Sequence, residues 1–187
     1  MAVMAMASLP GVAVAAPYAM DDAFRTSAEG VQTSLTQGDT GGAQSRAQAL
    51  LGAADQPIEK YVAGELMLQA AAGRGDLRSQ RIALSTILDS GQATTAETPR
   101  LRALAGVLSA MLGDRKDAIA QIDYANSQGY ATIESQIALG EAKFIRNDAA
   151  GGTTALDEAF ALQGKTGKGV ATSWYDRAIA LGTRAKR

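Results

Sequence analysis

The residue types that this chain lacks limit its chemistry more than the types it contains. Its 187 residues include no Cys and no His. It therefore has no thiolate nucleophile, no imidazole base and no His- or Cys-ligated zinc, which excludes serine triads, cysteine proteases and zinc hydrolases. Carboxylate, Lys, Tyr and Ser chemistry remains, but no acidic pair has a spacing that would converge in a fold. We therefore expect no enzyme activity, no cofactor and no metal.

Three short motifs resemble known functional sites. Gly164-Lys165-Thr166 is similar to the end of a phosphate-binding loop, but Ala159 stands where that loop requires its first Gly. Arg74-Gly75-Asp76 is similar to an integrin-binding tripeptide, although the repeat described below explains it as a turn. Glu134-Ser135 resembles the catalytic Glu-Ser of lytic transglycosylases without the Gly-rich motif that follows there. An exported peptidoglycan- or carbohydrate-active protein using Glu134 or Glu141 stays open as the alternative function.

The charge balance gives no reason to expect nucleic acid as a partner. The formal net charge is −1, so there is no general attraction to polyanions. A local excess of basic residues lies after position 164, where six basic residues accompany one acidic residue. Because these charges are scattered, we interpret them as a solvated terminal face.

The first 20 residues are uncharged and rich in Ala, Val and Met. Ala13-Val14-Ala15 provides a small-residue cleavage site, which predicts a signal peptide over residues 1–15 and one domain over residues 16–187. The protein is then periplasmic or secreted. No basic residue precedes the apolar run, so a cytoplasmic protein with an apolar N-terminal helix is the alternative. The run is interrupted by Pro10-Gly11 and is too short to span a bilayer of about 30 Å, so we expect no stable transmembrane segment.

The rest of the chain has a helical repeat. Residues 101–125 form the clearest copy, in which two segments with apolar residues every three or four positions flank Gly113-Asp114. The other inter-helix turns are predicted at Gly38-Asp39, Gly75-Asp76 and Asn147-Asp148, so the spacings are 37, 38 and 34 residues. Asn is the next-best residue after Gly for a left-handed turn. Near-constant periods of this size are typical of a helical solenoid.

Several dipeptides in this register resemble the tetratricopeptide repeat family. Ala105-Gly106 and Leu139-Gly140 lie seven residues before their turns, at the Leu-Gly position of that family. Ala118-x3-Ile122 matches its second-helix pattern, and Trp174 matches the Trp of an unfinished fifth repeat. The resemblance implies an all-α, right-handed solenoid of about four antiparallel helix pairs plus a terminal helix over residues 171–185. Related helical-hairpin repeats, and a truncated piece of a longer repeat protein, stay open.

The same resemblance implies a non-catalytic interaction scaffold. In such arrays a protein or peptide partner lies in the concave groove that the first helices line. The side chains that bind must lie off the stripe that packs the helices together. This criterion selects mixed apolar and charged residues on four helices, namely Arg100, Val107, Glu134, Ile137, Glu141, Phe144, Tyr175 and Ile179. The identity of the partner does not follow from the sequence.

Export makes a direct prediction about the mature chain. If residues 1–15 are a signal peptide, cleavage after Ala15 leaves Ala16 as the mature N-terminus. N-terminal sequencing of protein from the natural host, with cell fractionation, measures this. An intact Met1 on a protein from the cytosolic fraction would contradict export.

Overall fold

The computed structural model describes residues 20–167, 180 and 183. Within them the chain forms eight α-helices and no strand, which confirms the all-α prediction for this part of the chain. The predicted signal peptide lies outside the described residues, as does the predicted terminal helix apart from residues 180 and 183. The helices are α1 (Asp22–Thr36), α2 (Thr40–Ala53), α3 (Pro57–Gly73), α4 (Leu77–Asp89), α5 (Thr98–Leu112), α6 (Arg115–Ser127), α7 (Ile133–Ile145) and α8 (Ala149–Lys165).

All four predicted inter-helix turns are confirmed, and each is built in the same way. Near the end of the first helix a residue with left-handed backbone reverses the chain; these residues are Gly38, Gly75, Gly113 and Asn147, with φ of 75°, 67°, 90° and 64°. Asp follows each of them. Its carboxylate accepts a hydrogen bond from the N–H of the third residue of the next helix, at 2.9–3.1 Å, as seen for Asp39, Asp76, Asp114 and Asp148. One dipeptide therefore ends one helix and starts the next.

This capping moves two helix starts from where the sequence predicted them. In the sequence the apolar period of the second segment begins only at Ala43, after Gly41-Gly42, and that of the last segment begins near Thr153, so the period alone predicts later starts. The helices begin at Thr40 and Ala149, because the Asp caps act directly after the turns. Helix α8 also continues past Gly164, to Lys165.

The helices stack as consecutive pairs. Every helix packs on the next one along the chain, and the first helices of neighbouring pairs also touch, α1 on α3 and α5 on α7. The second helices α2, α4, α6 and α8 do not pack on one another. First helices that approach one another more closely than second helices lie on the inner side of a curved array. The described pairs therefore form a solenoid-like stack with α1, α3, α5 and α7 inside.

Glycines let the two helices of a pair approach closely. A Cβ built on Gly106 of α5 would lie 3.0 Å from the carbonyl oxygen of Ala118 and closer still to the side chain of Ile122, on α6. Gly140 has the same relation to α8, where its Cβ would lie 3.2 Å from the carbonyl oxygen of Gly152. The small residues predicted at the helix crossings are thus in contact with their partner helices.

The first two pairs build their crossings differently. In the second pair Gly64 makes the close approach. It lies 11 residues before the turn residue Gly75, instead of seven, so the crossing is about one helical turn further from the inter-helix turn. In the first pair Val31 occupies the seven-residue position, and the small residues Ala43 and Ala47 stand on the second helix instead. All three of these side chains are fully buried.

The junction between the second and third pairs combines apolar and polar contacts. The backbones of α3 and α5 do not approach each other closely, but the main hydrophobic core continues from Leu66 of α3 through α4 to Leu101 of α5. Arg81 of α4 donates to Asp117 Oδ2 of α6 at 2.5 Å and to Ser109 Oγ of α5 at 2.7 Å. Burial raises the pKa of Asp117, but hydrogen bonds from Ser109, Gln121 and Arg81 outweigh it and hold the pKa below its ordinary value. The ionised carboxylate thus ties three helices together.

The close helix contacts at the glycines lead to a prediction about stability. Gly106→Ala places a methyl group against α6, so we expect the free energy of unfolding to fall by about 1–3 kcal/mol. The matched control is Gly30→Ala in the middle of α1, where no atom lies within 4 Å of the new Cβ. That change should raise stability by about 0.4–1 kcal/mol, because it reduces the entropy of the unfolded chain. Urea unfolding of both variants measures this, and equal effects would contradict the crossing assignment.

Candidate functional site

Helix α5 turns one stripe of side chains away from its partner helix. The stripe follows the helical spacing and lies opposite Gly106, which faces α6; it consists of Arg100, Leu104, Val107 and Met111. Leu104 packs partly on the core of the first pairs, and Val107 packs partly on the core around α6, α7 and α8. Met111 stays 62% exposed. The stripe is therefore apolar from Leu104 to Met111 and most open to solvent at Met111.

Helix α7 continues the same surface. Its outward stripe consists of Glu134, Ile137, Glu141 and Ile145, and Ile145 is 53% exposed. Met111 and Ile145 each lie two residues before their turn residues, Gly113 and Asn147. Because α5 packs on α7, equivalent positions on the two helices are neighbours. We call the surface formed by these two stripes the inner groove.

The inner side becomes more apolar along the chain. On α1 the equivalent stripe is polar and exposed, with Arg25, Glu29, Gln32 and Thr36. On α3 the equivalent positions hold Val62, Leu66, Gln69 and Gly73, of which Leu66 is buried and Gln69 is exposed. Exposed large apolar side chains on the inner side are therefore concentrated on α5 and α7, which makes the inner groove the candidate binding site.

Most of the predicted site residues that can be examined lie in the inner groove. Arg100, Val107, Ile137 and Glu141 are partly exposed, and Glu134 is fully exposed. Tyr175 and Ile179 lie outside the described residues. These five residues lie on the first helices of two consecutive repeats.

Phe144 has to be removed from this set. Its side chain is only 6% exposed, and its ring lies where a Cβ on Gly152 of α8 would clash with it. The absence of a side chain at Gly152 therefore makes room for the ring. Phe144 belongs to the α7–α8 interface, so its assignment to the groove is wrong.

The sequence prediction missed Met111 and Ile145. Both continue the stripes that contain Arg100 and Glu134, at the helical spacing of eleven residues. Their equivalent distance from the turns was visible in the repeat register.

Next to the inner groove, a cluster of polar side chains joins α3 to the start of α5. The Tyr61 hydroxyl donates to Glu97 Oε1 at 3.5 Å. Burial, together with the charges of Glu65 and Glu97, raises the pKa of Tyr61 to about 12. Burial also raises the pKa of Glu65, which the Arg100 guanidinium partly offsets. Two carboxylates, one phenol and one guanidinium therefore lie close together in a partly buried cluster.

A separate cleft of about 910 Å³ lies between α1, α2 and the start of α3. Its walls include Phe24, Leu50 and Arg46, and the buried carboxylate of Glu59 lies at its edge. That carboxylate accepts hydrogen bonds from the backbone N–H groups of Asp21, Asp55 and Gln56, each at 3.1 Å. Hydrogen bonding from Gln56, with the other two amides, lowers the pKa of Glu59 despite its burial. Glu59 is therefore an ionised structural group that fastens the start of α1 to α3.

Two further classes of site are missing from the described part of the chain. Residues 20–167 contain no group of three or more Asp or Glu side chains placed to hold a metal ion. No helix in that range is long and apolar enough to cross a membrane.

The distinction between groove and core can be tested. Phe144→Ala should lower the free energy of unfolding by about 3–5 kcal/mol, because it leaves a cavity against α8. Ile145→Ala, the neighbouring substitution, should change it by less than about 1 kcal/mol, because the side chain is 53% exposed. Thermal or urea unfolding measures both, and a large loss for Ile145→Ala would show that this side chain is part of the core.

The chain has no match among known proteins: no family model, no curated protein and no solved structure matches it. What can be said about its partners rests on the groove itself.

Proposed function

We propose that this protein is a non-catalytic interaction scaffold of the tetratricopeptide-like class, exported to the periplasm or cell envelope. Its inner groove holds a segment of a partner protein. The partner lies across α5 and α7 and contacts Val107, Met111 and Ile145, with Arg100 and Glu134 at the other end of the same stripes.

The observation that carries this proposal is the exposure of two large apolar side chains at equivalent positions. Met111 and Ile145 are 62% and 53% exposed on adjacent helices, and partly exposed Val107 lies one helical turn from Met111. Single exposed apolar residues are ordinary, whereas a contiguous patch bordered by charged residues is typical of an interface. The groups at its border, Arg100, Glu134 and Glu141, supply such a polar rim.

The alternative is an exported peptidoglycan- or carbohydrate-active protein that uses Glu134 or Glu141. Two cooperating carboxyl groups in glycosidases are about 5–9.5 Å apart. Seven residues along one helix correspond to about 10 Å between the backbone positions of this pair. Because Glu side chains extend several Å from the backbone, this spacing does not separate the two functions, and the peptidoglycan assay described below does.

Site-specific photo-crosslinking in cells tests the scaffold function. A photoreactive residue in place of Met111 or Ile145 should give a discrete crosslinked product, because the partner covers both positions. The matched control is Ile82, an aliphatic residue that is 48% exposed on the second helix α4. It should give no such product.

Two results would contradict the proposal. Crosslinking of similar yield at Ile82 would mean that the contact is not specific to the inner groove. Release of muropeptides from peptidoglycan by the purified protein, abolished by Glu134→Gln, would favour the carbohydrate-active alternative.

A further inference from the structure

The cleft between α1, α2 and the start of α3 lies at the first end of the described array. Helices α1 and α2 pack on each other and on α3, and no other described helix packs on them. Phe24 and Leu50, both buried, form the apolar part of the wall. The other side chains of these two helices that line it are mostly short and exposed, and include Ala23, Ser27, Ala49 and Ala53. About 910 Å³ is therefore left open at the end of the array, where a repeat structure needs a covering group.

The chain enters the array at the edge of this cleft. Asp21 lines the cleft, and its backbone N–H donates to the buried Glu59 carboxylate at 3.1 Å. The backbone of Asp21 is extended, with φ of −56° and ψ of 141°. The Met20 side chain packs partly on the main hydrophobic core. These two contacts hold the residues that immediately precede Met20 next to the cleft.

The segment that precedes Met20 is uncharged, and its one large side chain is that of Tyr18. Residues 16–19 have the sequence Ala-Pro-Tyr-Ala and lie outside the described residues. Three extended residues span about 10 Å, so Tyr18 can reach the cleft from Asp21. The predicted cleavage after Ala15 keeps Tyr18 in the mature chain, so this side chain is present with and without processing.

The wall of the cleft has the chemistry that a tyrosine ring requires. Such a ring needs apolar surface, which Phe24 and Leu50 provide, and an open end for its hydroxyl group. A guanidinium is fixed at the same wall, because Arg46 Nη1 donates to the Gly30 carbonyl oxygen at 3.2 Å and to Ser34 Oγ at 3.0 Å. A guanidinium held in this way attracts the face of an aromatic ring.

The charges of the cleft favour an uncharged occupant. Its wall contains one basic residue, Arg46, and three acidic residues, Asp21, Asp55 and Glu59. An anionic ligand would be repelled by these carboxylates, and a cationic ligand would be repelled by Arg46. A neutral aromatic ring avoids both costs. Its attachment to the chain beside the cleft also gives it a high effective concentration there.

We propose that residues 16–19 fold back over α1 and α2, and that the Tyr18 ring fills the cleft against Phe24, Leu50 and Arg46. The segment then caps the first end of the array and covers surface that a second copy of the chain could otherwise bind. This cap belongs to the first helix pair, whereas the inner groove lies on the third and fourth pairs. The inference therefore does not depend on the proposed function.

Chemical labelling of single cysteines tests the inference on the purified full-length protein. The natural chain has no Cys, so an introduced thiol is the one that reacts. Ala53→Cys places this thiol in the wall of the cleft. The matched control, Ala120→Cys, replaces an exposed Ala on the second helix α6. The rate of reaction with an aromatic disulfide reagent is measured for each protein.

The substitutions at position 18 have different expected effects. In the Ala53→Cys protein, Tyr18→Ala should raise the rate about tenfold, because a ring that covers the thiol for about nine-tenths of the time slows the reaction by that factor. Tyr18→Phe should keep the slow rate, since it retains the ring. Neither substitution should change the rate in the Ala120→Cys protein. Circular dichroism melting of each variant checks that folding is retained.

Four results would overturn the proposal. Equal rates in the Ala53→Cys protein with Tyr18 and with Tyr18→Ala would mean that the ring does not cover the cleft. A fast rate with Tyr18→Phe would mean that ring packing is not the contact. A slow rate that rises on dilution would identify a second copy as the occupant. An equal rise in the Ala120→Cys protein would mean that Tyr18→Ala loosens the whole fold.

Discussion

The two-residue turn inside each helix pair is the constraint on which the other contacts depend. A left-handed residue stops the first helix, and the Asp after it caps the second. Because the turn is the same in all four pairs, residues at fixed distances before and after it are brought together. Gly106 therefore meets Ala118, and Gly140 meets Gly152. A longer or different turn would change the phase of the second helix and bring larger side chains into these crossings.

The crossings also show why the repeat pattern is hard to see in the first two pairs. Packing at a crossing requires a certain combined volume of the two facing side chains. The larger of the two side chains can belong to the first helix or to the second. In the third pair Gly106 faces the large Ile122, whereas in the first pair the large Val31 belongs to the first helix and Ala43 and Ala47 to the second. A search for a fixed dipeptide misses such an exchange, although the packing is equivalent.

What could be predicted from the sequence was mostly local. The sign of φ at Gly38 or Asn147, and capping by the next Asp, depend on neighbouring residues, so the turns and the number of described helices were predicted correctly. The position of Phe144 depends on the missing side chain of Gly152 on another helix. The pairing of Arg81 with Asp117 joins residues 36 positions apart and has no periodic signal. Only the groove residues Met111 and Ile145 were missed although the repeat register contained them.

The junction between the second and third pairs holds together without close contact between the backbones of α3 and α5. The main hydrophobic core runs across it, and a polar contact on the second helices adds to that core. Arg81 and Asp117 lie on the second helices α4 and α6, on the opposite side from the inner groove. Their ion pair, shared with Ser109, connects helices whose backbones do not touch. The array can therefore stay continuous at this junction, because its apolar core and this ion pair connect the two pairs from different sides.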